Sequence, residues 1–311
     1  MAILLAITDR DVRPLRKMIR THLGEEAGPV WIYPEMPDAE AVTMAVLWKH
    51  PEDLLAKLPN LQLVSSLGAG VEHILNDPAL PGGLRITRII DDTLIRSMRN
   101  YVVLAVLHIH KQLEVYRANQ RAGRWSKPAP VERPLRIGVL GLGTLGRPIA
   151  RFLAGMGFEV LGYSRSPRRV EGITCYSAAD MSLPAFARRI NTLICLLPGT
   201  PATEGILDGK LFASLPPGSF LINVARGAHL VEGDLLQAMD EGRIEQAWLD
   251  VFHAEPLPAA HPFWTRPGIT VTPHIASITD QENAAALIAG NYRRMQAGDD
   301  LLYEVDREKG Y

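Results

Sequence analysis

Three polar residues stand out by type and position: Arg226, Glu255 and His274. They sit in Asn223-Val-Ala-Arg-Gly227, His253-Ala-Glu-Pro-Leu257 and Thr272-Pro-His-Ile-Ala-Ser277, and each segment follows a short apolar run that reads as a strand. Open α/β sheets place their ligands just past the carboxyl ends of parallel strands, so all three residues fall where a site is expected. Arginine stays charged and can fork a carboxylate or polarise a carbonyl. Histidine titrates near neutrality and can exchange an alcohol proton. A neighbouring carboxylate favours the imidazolium and holds the ring. Together these groups suit redox chemistry on a 2-oxo acid. Singly, each is more often structural, so the reading needs a cofactor site to go with them.

That site is Gly141-Leu-Gly143-Thr144-Leu145-Gly146. A GxGxxG pattern alone is weak, but this one follows the strand-like Arg136-Ile-Gly-Val-Leu140 and opens a helical pattern over 145–156. This is the context of a dinucleotide-binding turn. Gly141 makes the tight turn, Gly143 lets the backbone approach a pyrophosphate, and Gly146 lets helix and strand close up. N–H groups near Thr144 and Leu145 then meet the phosphates. An NAD site also carries an Asp or Glu about 20 residues on, for the adenosine ribose. Here the next strand ends in Ser164-Arg165-Ser166-Pro-Arg168-Arg169, with no carboxylate. Hydroxyls and guanidinium groups suit a ribose 2′-phosphate. NADP(H) is therefore the expected cofactor, with NAD(H) as the second choice.

The elements that must position these groups come in two series. Over the first 90 residues, short apolar runs (Ile3–Ile7, Thr43–Leu47, Leu63–Leu67, Leu84–Ile86) alternate with helix-like stretches over 11–23 and 51–58. This alternation implies a parallel sheet under helices. One long helix is expected from Thr93 to about Ala122, ended by Gly123 and the Pro-containing stretch after Trp125. From Leu135 a second series has six strand candidates: Leu135–Leu140, Glu159–Tyr163, Thr192–Leu196, Phe220–Val224, Ala247–Val251 and Thr270–Thr272. Helical crossovers between them fit a doubly wound, Rossmann-type sheet. A last helix is expected over 284–295.

Composition narrows the function further. Lys and Arg number 33 against 34 Asp and Glu, a net charge of −1. A nucleic-acid binder carries a basic excess, so none is expected as a partner. No apolar stretch approaches the ~20 residues of a membrane span. The N-terminus lacks the basic start of an export signal. The two cysteines, Cys175 and Cys195, build neither a disulfide framework nor a CxxC metal or redox pair, so no metal is called for. A cytoplasmic protein with reduced thiols is the expectation.

With these residues in hand, the chain resembles the D-isomer-specific 2-hydroxyacid dehydrogenase family, and within it the glyoxylate/hydroxypyruvate reductase A type. The resemblance is densest from Leu135 to Ser277. It includes Gly141–Gly146, Leu196-Leu-Pro-Gly-Thr-Pro-Ala-Thr203, Asn223–Gly227, Leu249–Leu257, His261-Pro-Phe-Trp264 and Thr272–Ser277. It implies a smaller flavodoxin-like α/β substrate domain, residues 1–98 plus 277–311, with the cofactor domain, residues 99–276, inserted in it and the site in the cleft between them. It assigns catalysis to Arg226, Glu255 and His274, and backbone binding of the acid to Gly68, Ala69 and Gly70 in Leu67-Gly-Ala-Gly-Val-Glu-His-Ile74. Trp48 then lines the pocket. Leu197, Pro198 and Val224 fall on the cofactor's side, and Asp250 meets the nicotinamide carboxamide. The long helix and the Gln120–Trp125 segment match the region that forms a homodimer. The implied reaction is NADPH-dependent reduction of glyoxylate or hydroxypyruvate to the 2-hydroxy acid. Two alternatives stay open: a reductase of another 2-oxo acid, and a dinucleotide-sensing, corepressor-like binding protein. Arg99 and Asn100, in Met98-Arg-Asn-Tyr101, replace the Ala-Glu of many relatives and could alter the pocket rim.

Overall fold

A computed structural model of the chain describes residues 1–24 and 28–310. They form two compact units, Met1–Leu94 with Ile278–Tyr311, and Ile95–Ser277.

In the first unit, β1 (Ala2–Ile7), β2 (Val30–Ile32), β3 (Val42–Trp48), β4 (Leu63–Ser66) and β5 (Arg85–Thr87) pair in parallel in the order β2-β1-β3-β4-β5. All six residues of β1 are buried, because helices cover both faces of a parallel sheet. Side chains alternate between the faces with period two. Ile3, Leu5 and Ile7 pack with Leu15 and Ile19 of the helix Arg13–Leu23 and with Ala285, Ile288 and Tyr292 of the helix Gln281–Ala297. Ala2, Leu4 and Ala6 face the other way, against Leu54, Leu55, Leu58, Val71 and Ile74. The order is that of a flavodoxin-like sheet. Two local expectations fail. The stretch 51–58 is only a turn with a short 3₁₀ segment, Leu55–Lys57, because Leu58 precedes Pro59 and leaves the helical region (φ −115°, ψ 78°). Strand β2, three residues long and half-buried in two of them, leaves too short a pattern to find.

In the second unit seven strands, β6 (Arg136–Leu140), β7 (Glu159–Ser164), β8 (Thr174–Ser177), β9 (Thr192–Cys195), β10 (Ser219–Asn223), β11 (Ile244–Leu249) and β12 (Ile269–Val271), run parallel in the order β12-β11-β10-β9-β6-β7-β8. The chain direction across the sheet reverses between β6 and β9, the switch point at which doubly wound sheets bind dinucleotides. One strand more is present than expected. β8, Thr-Cys-Tyr-Ser, is an edge strand with little apolar content. The long helix is also two helices, Asp92–His110 and Leu113–Arg121. The break lies at Gln112, whose φ is +53° and whose amide donates to the carbonyls of Pro130 (2.7 Å) and Val131 (3.2 Å). A non-glycine residue in the left-handed region needs such support.

Candidate active site

The turn after β6 shows why glycines stand there. Gly141 has a φ of +96°, and a Cβ on it would lie 2.7 Å from the Leu196 carbonyl oxygen. A Cβ on Gly146 would lie 1.8 Å from the Gly141 carbonyl oxygen, so the helix Gly146–Gly155 starts hard against the turn. A Cβ on Gly143 would meet nothing within 4 Å. The turn is thus closed on its inner side and clear on its outer side, where N–H groups of the helix start are available to an anion. These residues fit the pyrophosphate of a dinucleotide.

At the end of β7, Ser164 is buried and its hydroxyl donates to the Ser166 carbonyl at 2.8 Å, which folds the strand end into a turn. Arg165, Ser166, Arg168 and Arg169 are exposed. Three guanidinium groups on one short turn form a local positive site on a chain of near-zero net charge. Across the switch point, the Pro198 carbonyl accepts from His229 Nε2 at 3.0 Å and from the Thr203 hydroxyl at 2.7 Å, which fixes the Leu197–Pro198 corner. Val224 is buried in the core at the end of β10.

The three polar residues come off neighbouring strand ends. Arg226 follows β10, Glu255 follows β11 and His274 follows β12. Gly227 brings the first two loops together, since a Cβ there would fall 2.0 Å from the Phe252 carbonyl carbon. Glu255 accepts from the Phe252 N–H at 3.0 Å through Oε1, and its Oε2 lies 2.7 Å from His274 Nδ1. Burial pushes the Glu255 carboxyl up, but the His274 hydrogen bond, the Phe252 N–H and the nearby His274 and Arg226 charges outweigh it and hold the carboxyl below its ordinary value. Nδ1 of His274 is thereby engaged, and Nε2 is the ring's other proton-carrying atom.

His274 has a φ of +56°, and its loop is pinned from beneath by Asp250. That carboxylate is 1% exposed; it accepts from the Thr272 hydroxyl (2.6 Å) and the Ile275 N–H (2.9 Å) through Oδ1, and from the Ala276 N–H (2.7 Å) through Oδ2. The His274 N–H donates to the Asp250 carbonyl at 2.9 Å. Tyr101 OH hydrogen-bonds Thr272 Oγ1. Burial raises the Tyr101 phenol to about 12, so it stays protonated and donates, while the Thr272 hydroxyl itself donates to Asp250.

In the first unit, β4 ends in the Leu67–Val71 turn. Ser66 Oγ donates to the Gly70 carbonyl at 2.6 Å and accepts from the Gly68 N–H at 3.2 Å. Trp48, at the end of β3, lies against Gly68, where a Cβ would be 3.0 Å from its Cζ3. Ala69 and Gly70 are half-buried. The Arg99 guanidinium stacks over the Phe152 ring at 4.5 Å, and Asn100 is exposed.

Comparison with known proteins gives the family. The model of the D-isomer specific 2-hydroxyacid dehydrogenase NAD binding domain matches residues 103–276. The chain belongs to the D-isomer-specific 2-hydroxyacid dehydrogenase family. This dehydrogenase is 40% identical over 280 residues to the glyoxylate/hydroxypyruvate reductase A of Yersinia enterocolitica, covering 88% of this chain and 89% of that one. It is 42% identical over 280 residues to the protein of the same name from Photorhabdus laumondii, again covering 88% and 89%. Among solved structures, it is similar to a D-isomer specific 2-hydroxyacid dehydrogenase from Xanthobacter autotrophicus Py2 in complex with NADPH and MES (TM-score 0.93, 36% identity, 100% of this chain and 99% of that one). It is also similar to an NADPH-dependent glyoxylate/hydroxypyruvate reductase from Sinorhizobium meliloti in complex with NADP and sulfate (TM-score 0.89, 34% identity, 100% and 99%).

Three residues that brace the candidate site carried no signal of their own in the sequence. Tyr101 and Thr272 act on the His274 loop through Asp250. His229 is buried, with Nε2 on the Pro198 carbonyl and Nδ1 3.6 Å from Cys195 Sγ. Burial raises the Cys195 thiol to about 12, so it remains a thiol and donates to His229. The one available cue was the position of His229, three residues after Arg226.

Proposed function

We propose that this dehydrogenase reduces small 2-oxo acids, glyoxylate and hydroxypyruvate first among them, to 2-hydroxy acids with NADPH. The observation that carries the reading is the 2.7 Å contact between His274 Nδ1 and Glu255 Oε2, formed beside Arg226 at three adjacent strand ends. When bound, NADPH supplies a hydride from its nicotinamide to the keto carbon. His274 gives the proton, from Nε2, to the keto oxygen. Glu255 stays ionised and holds the ring through Nδ1, which leaves Nε2 to give the proton. Arg226 stabilises the charge that gathers on that oxygen and grips the acid's carboxylate. The bond changes balance: hydride and proton together turn the carbonyl into an alcohol.

Gly141, Gly143, Thr144, Leu145 and Gly146 are assigned to the pyrophosphate, and Arg165, Arg168 and Ser166 to the 2′-phosphate. Ser164 shapes that turn, and Leu197, Pro198 and Val224 serve the nicotinamide half. The Gly68–Gly70 backbone and Trp48 are assigned to the acid, which makes the first unit the substrate domain and the second the cofactor domain. Asp250 is assigned to the His274 loop, with a nicotinamide contact as its second role.

A homodimer and a cytoplasmic location complete the reading. Leu104, Phe152 and Met156 are exposed apolar residues of the second unit, and Trp125 is fully exposed. Apolar residues so placed support a partner surface. Among the described residues no helix is long and apolar enough to cross a membrane, and both cysteines are free. The test is a steady-state screen of 2-oxo acids with NADPH and NADH. Turnover of glyoxylate and hydroxypyruvate with NADPH is expected, and none with any small 2-oxo acid would overturn the reading.

A further inference from the structure

The first unit holds a buried ionisable pair that the mechanism does not use. His50 Nε2 lies 2.8 Å from Asp77 Oδ2, and the two side chains are 3% and 2% exposed. Asp77 Oδ1 also accepts from the Ala79 N–H at 2.7 Å, which anchors the carboxylate after the helix Glu72–Leu75. His50 Nδ1 is buried and makes no hydrogen bond. Desolvating such a pair costs free energy that its attraction repays only in good geometry, so it is weak evidence for stability. A role in fixing a conformation accounts for it better.

What it fixes is visible in the ring contacts. The His50 ring meets His73 edge-on, with centroids 6.0 Å apart, and His73 meets Trp48 edge-on at 5.0 Å. His73 Nε2 also lies 3.3 Å from the Leu47 carbonyl, next to Trp48. Trp48 in turn rests on Gly68, at the start of the Gly68–Gly70 turn. His50 itself follows Lys49, whose φ of +49° turns the chain sharply after β3, so that Trp48 and His50 both meet His73. The line Asp77–His50–His73–Trp48–Gly68 runs wholly within the first unit.

We propose that His50 and Asp77 are positioning residues that set which 2-oxo acids are accepted, by holding Trp48 against Gly68 through His73. This rests on the assignment of Trp48 and Gly68–Gly70 to the substrate acid. A fixed indole gives the pocket a hard wall, and a wall held in place is what separates a small 2-oxo acid from one with extra methylenes. One methylene more or less in a defined pocket is worth about 10–200-fold in kcat/KM. Freeing the indole gives up part of that factor.

The experiment compares glyoxylate with 2-oxobutyrate as substrates of the full-length protein, in the parent and in His50→Ala, His50→Gln and Trp48→Ala. His50→Gln guards against misfolding, since its side-chain amide can still donate to Asp77 while the ring facing His73 is gone. Each His50 variant is expected to lower the glyoxylate preference by about tenfold, with the change in KM rather than in kcat. In protein labelled with 5-fluorotryptophan, the ¹⁹F signal that Trp48→Ala removes should shift or broaden in both His50 variants. Folded His50 variants with the parent's preference and the parent's Trp48 signal, beside an altered Trp48→Ala, would overturn the relay and leave the pocket assignment standing. Unchanged KM values in Trp48→Ala would overturn the pocket assignment, and the relay with it.

Discussion

Glu255 and His274 are joined by one short contact, Oε2 to Nδ1 at 2.7 Å, while the second carboxylate oxygen is held by the Phe252 N–H at 3.0 Å. The carboxylate therefore cannot swing off the ring without losing both bonds. Its depressed pKa fixes the sign of the pH effect. The contact contributes fully above the ordinary glutamate value and is lost only as pH falls through the lower folded-state value. The acid limb of activity should thus begin below the ordinary glutamate range. In Glu255→Gln the ionised partner of His274 Nδ1 is gone, so kcat/KM for 2-oxo acid reduction should fall and the acid limb should no longer follow a carboxyl. Profiles of kcat/KM against pH in parent and variant check this; superimposable profiles would make Glu255 a loop brace only.

Removing the proton donor or the electrostatic group should be costly. His274→Ala and Arg226→Ala are each expected to lower kcat/KM by at least ~10²-fold, the usual scale for positioned acid–base and charge-stabilising groups. NADPH binding, followed by fluorescence titration, should survive in His274→Ala. Near-normal turnover in either variant would end the proposed mechanism.

Asp250 offers a stability test. Its carboxylate takes three donors, from Thr272, Ile275 and Ala276, while 1% exposed. Asp250→Ala leaves those donors without their acceptor, at about 1–3 kcal/mol for each that water does not reach. For a unit of this size about 3 kcal/mol corresponds to roughly 6–12 °C in Tm. Calorimetry should show such a fall, together with a loss of kcat as the His274 loop is released. A Tm within a degree or so of the parent would mean that the loop holds itself.

How much of this was legible in the sequence differs from residue to residue. β1 was plain because a strand covered on both faces must be apolar throughout, and the glycine turn was plain because it joins a strand-like run to a helical pattern, with Gly141 and Gly146 each answering a steric demand. Arg226, Glu255 and His274 could be found because each follows a strand, and parallel strands share a direction. The break at Gln112 could not, since it depends on carbonyls about twenty residues further on that only the folded chain brings back. Tyr101 and His229 stayed hidden for the same reason. Each is an ordinary helix or turn residue until the fold sets it against Thr272 or Pro198. Pattern reveals what a segment does for itself, and these residues act on another segment.

The proposed dimer can be tested at the exposed apolar residues. Leu104 is 57% exposed on the helix Asp92–His110. Leu104→Glu combined with Trp125→Glu should yield a monomer by sedimentation equilibrium, because a charge buried without a partner opposes association. A parent that sediments as a monomer would refute the dimer directly.

The cofactor preference is the sharpest test of the second unit, because two features of one turn work in the same direction. No carboxylate ends β7, so a ribose diol finds no strong acceptor there, and a 2′-phosphate meets no repulsion. Arg165, Arg168 and Arg169 are exposed on the turn that the Ser164–Ser166 hydrogen bond folds. A hydrogen bond to a charged group contributes about 1.5–3 kcal/mol, and about 1.4 kcal/mol is a factor of ten. One or two such contacts predict at least a roughly tenfold preference for NADPH over NADH in kcat/KM. Arg165→Ala with Arg168→Ala should remove most of it. Adding Ser164→Asp should reverse it, since a carboxylate there repels the phosphate and accepts from the diol. The Asp cannot make the donation to the Ser166 carbonyl, so some loss of overall efficiency should accompany the switch. The changes should fall on the cofactor KM, because the 2′-phosphate is remote from the transferred hydride. Paired titrations of NADPH and NADH at saturating glyoxylate measure this, and equal efficiency with both cofactors in the parent would make the arginine turn a solvated surface and nothing more.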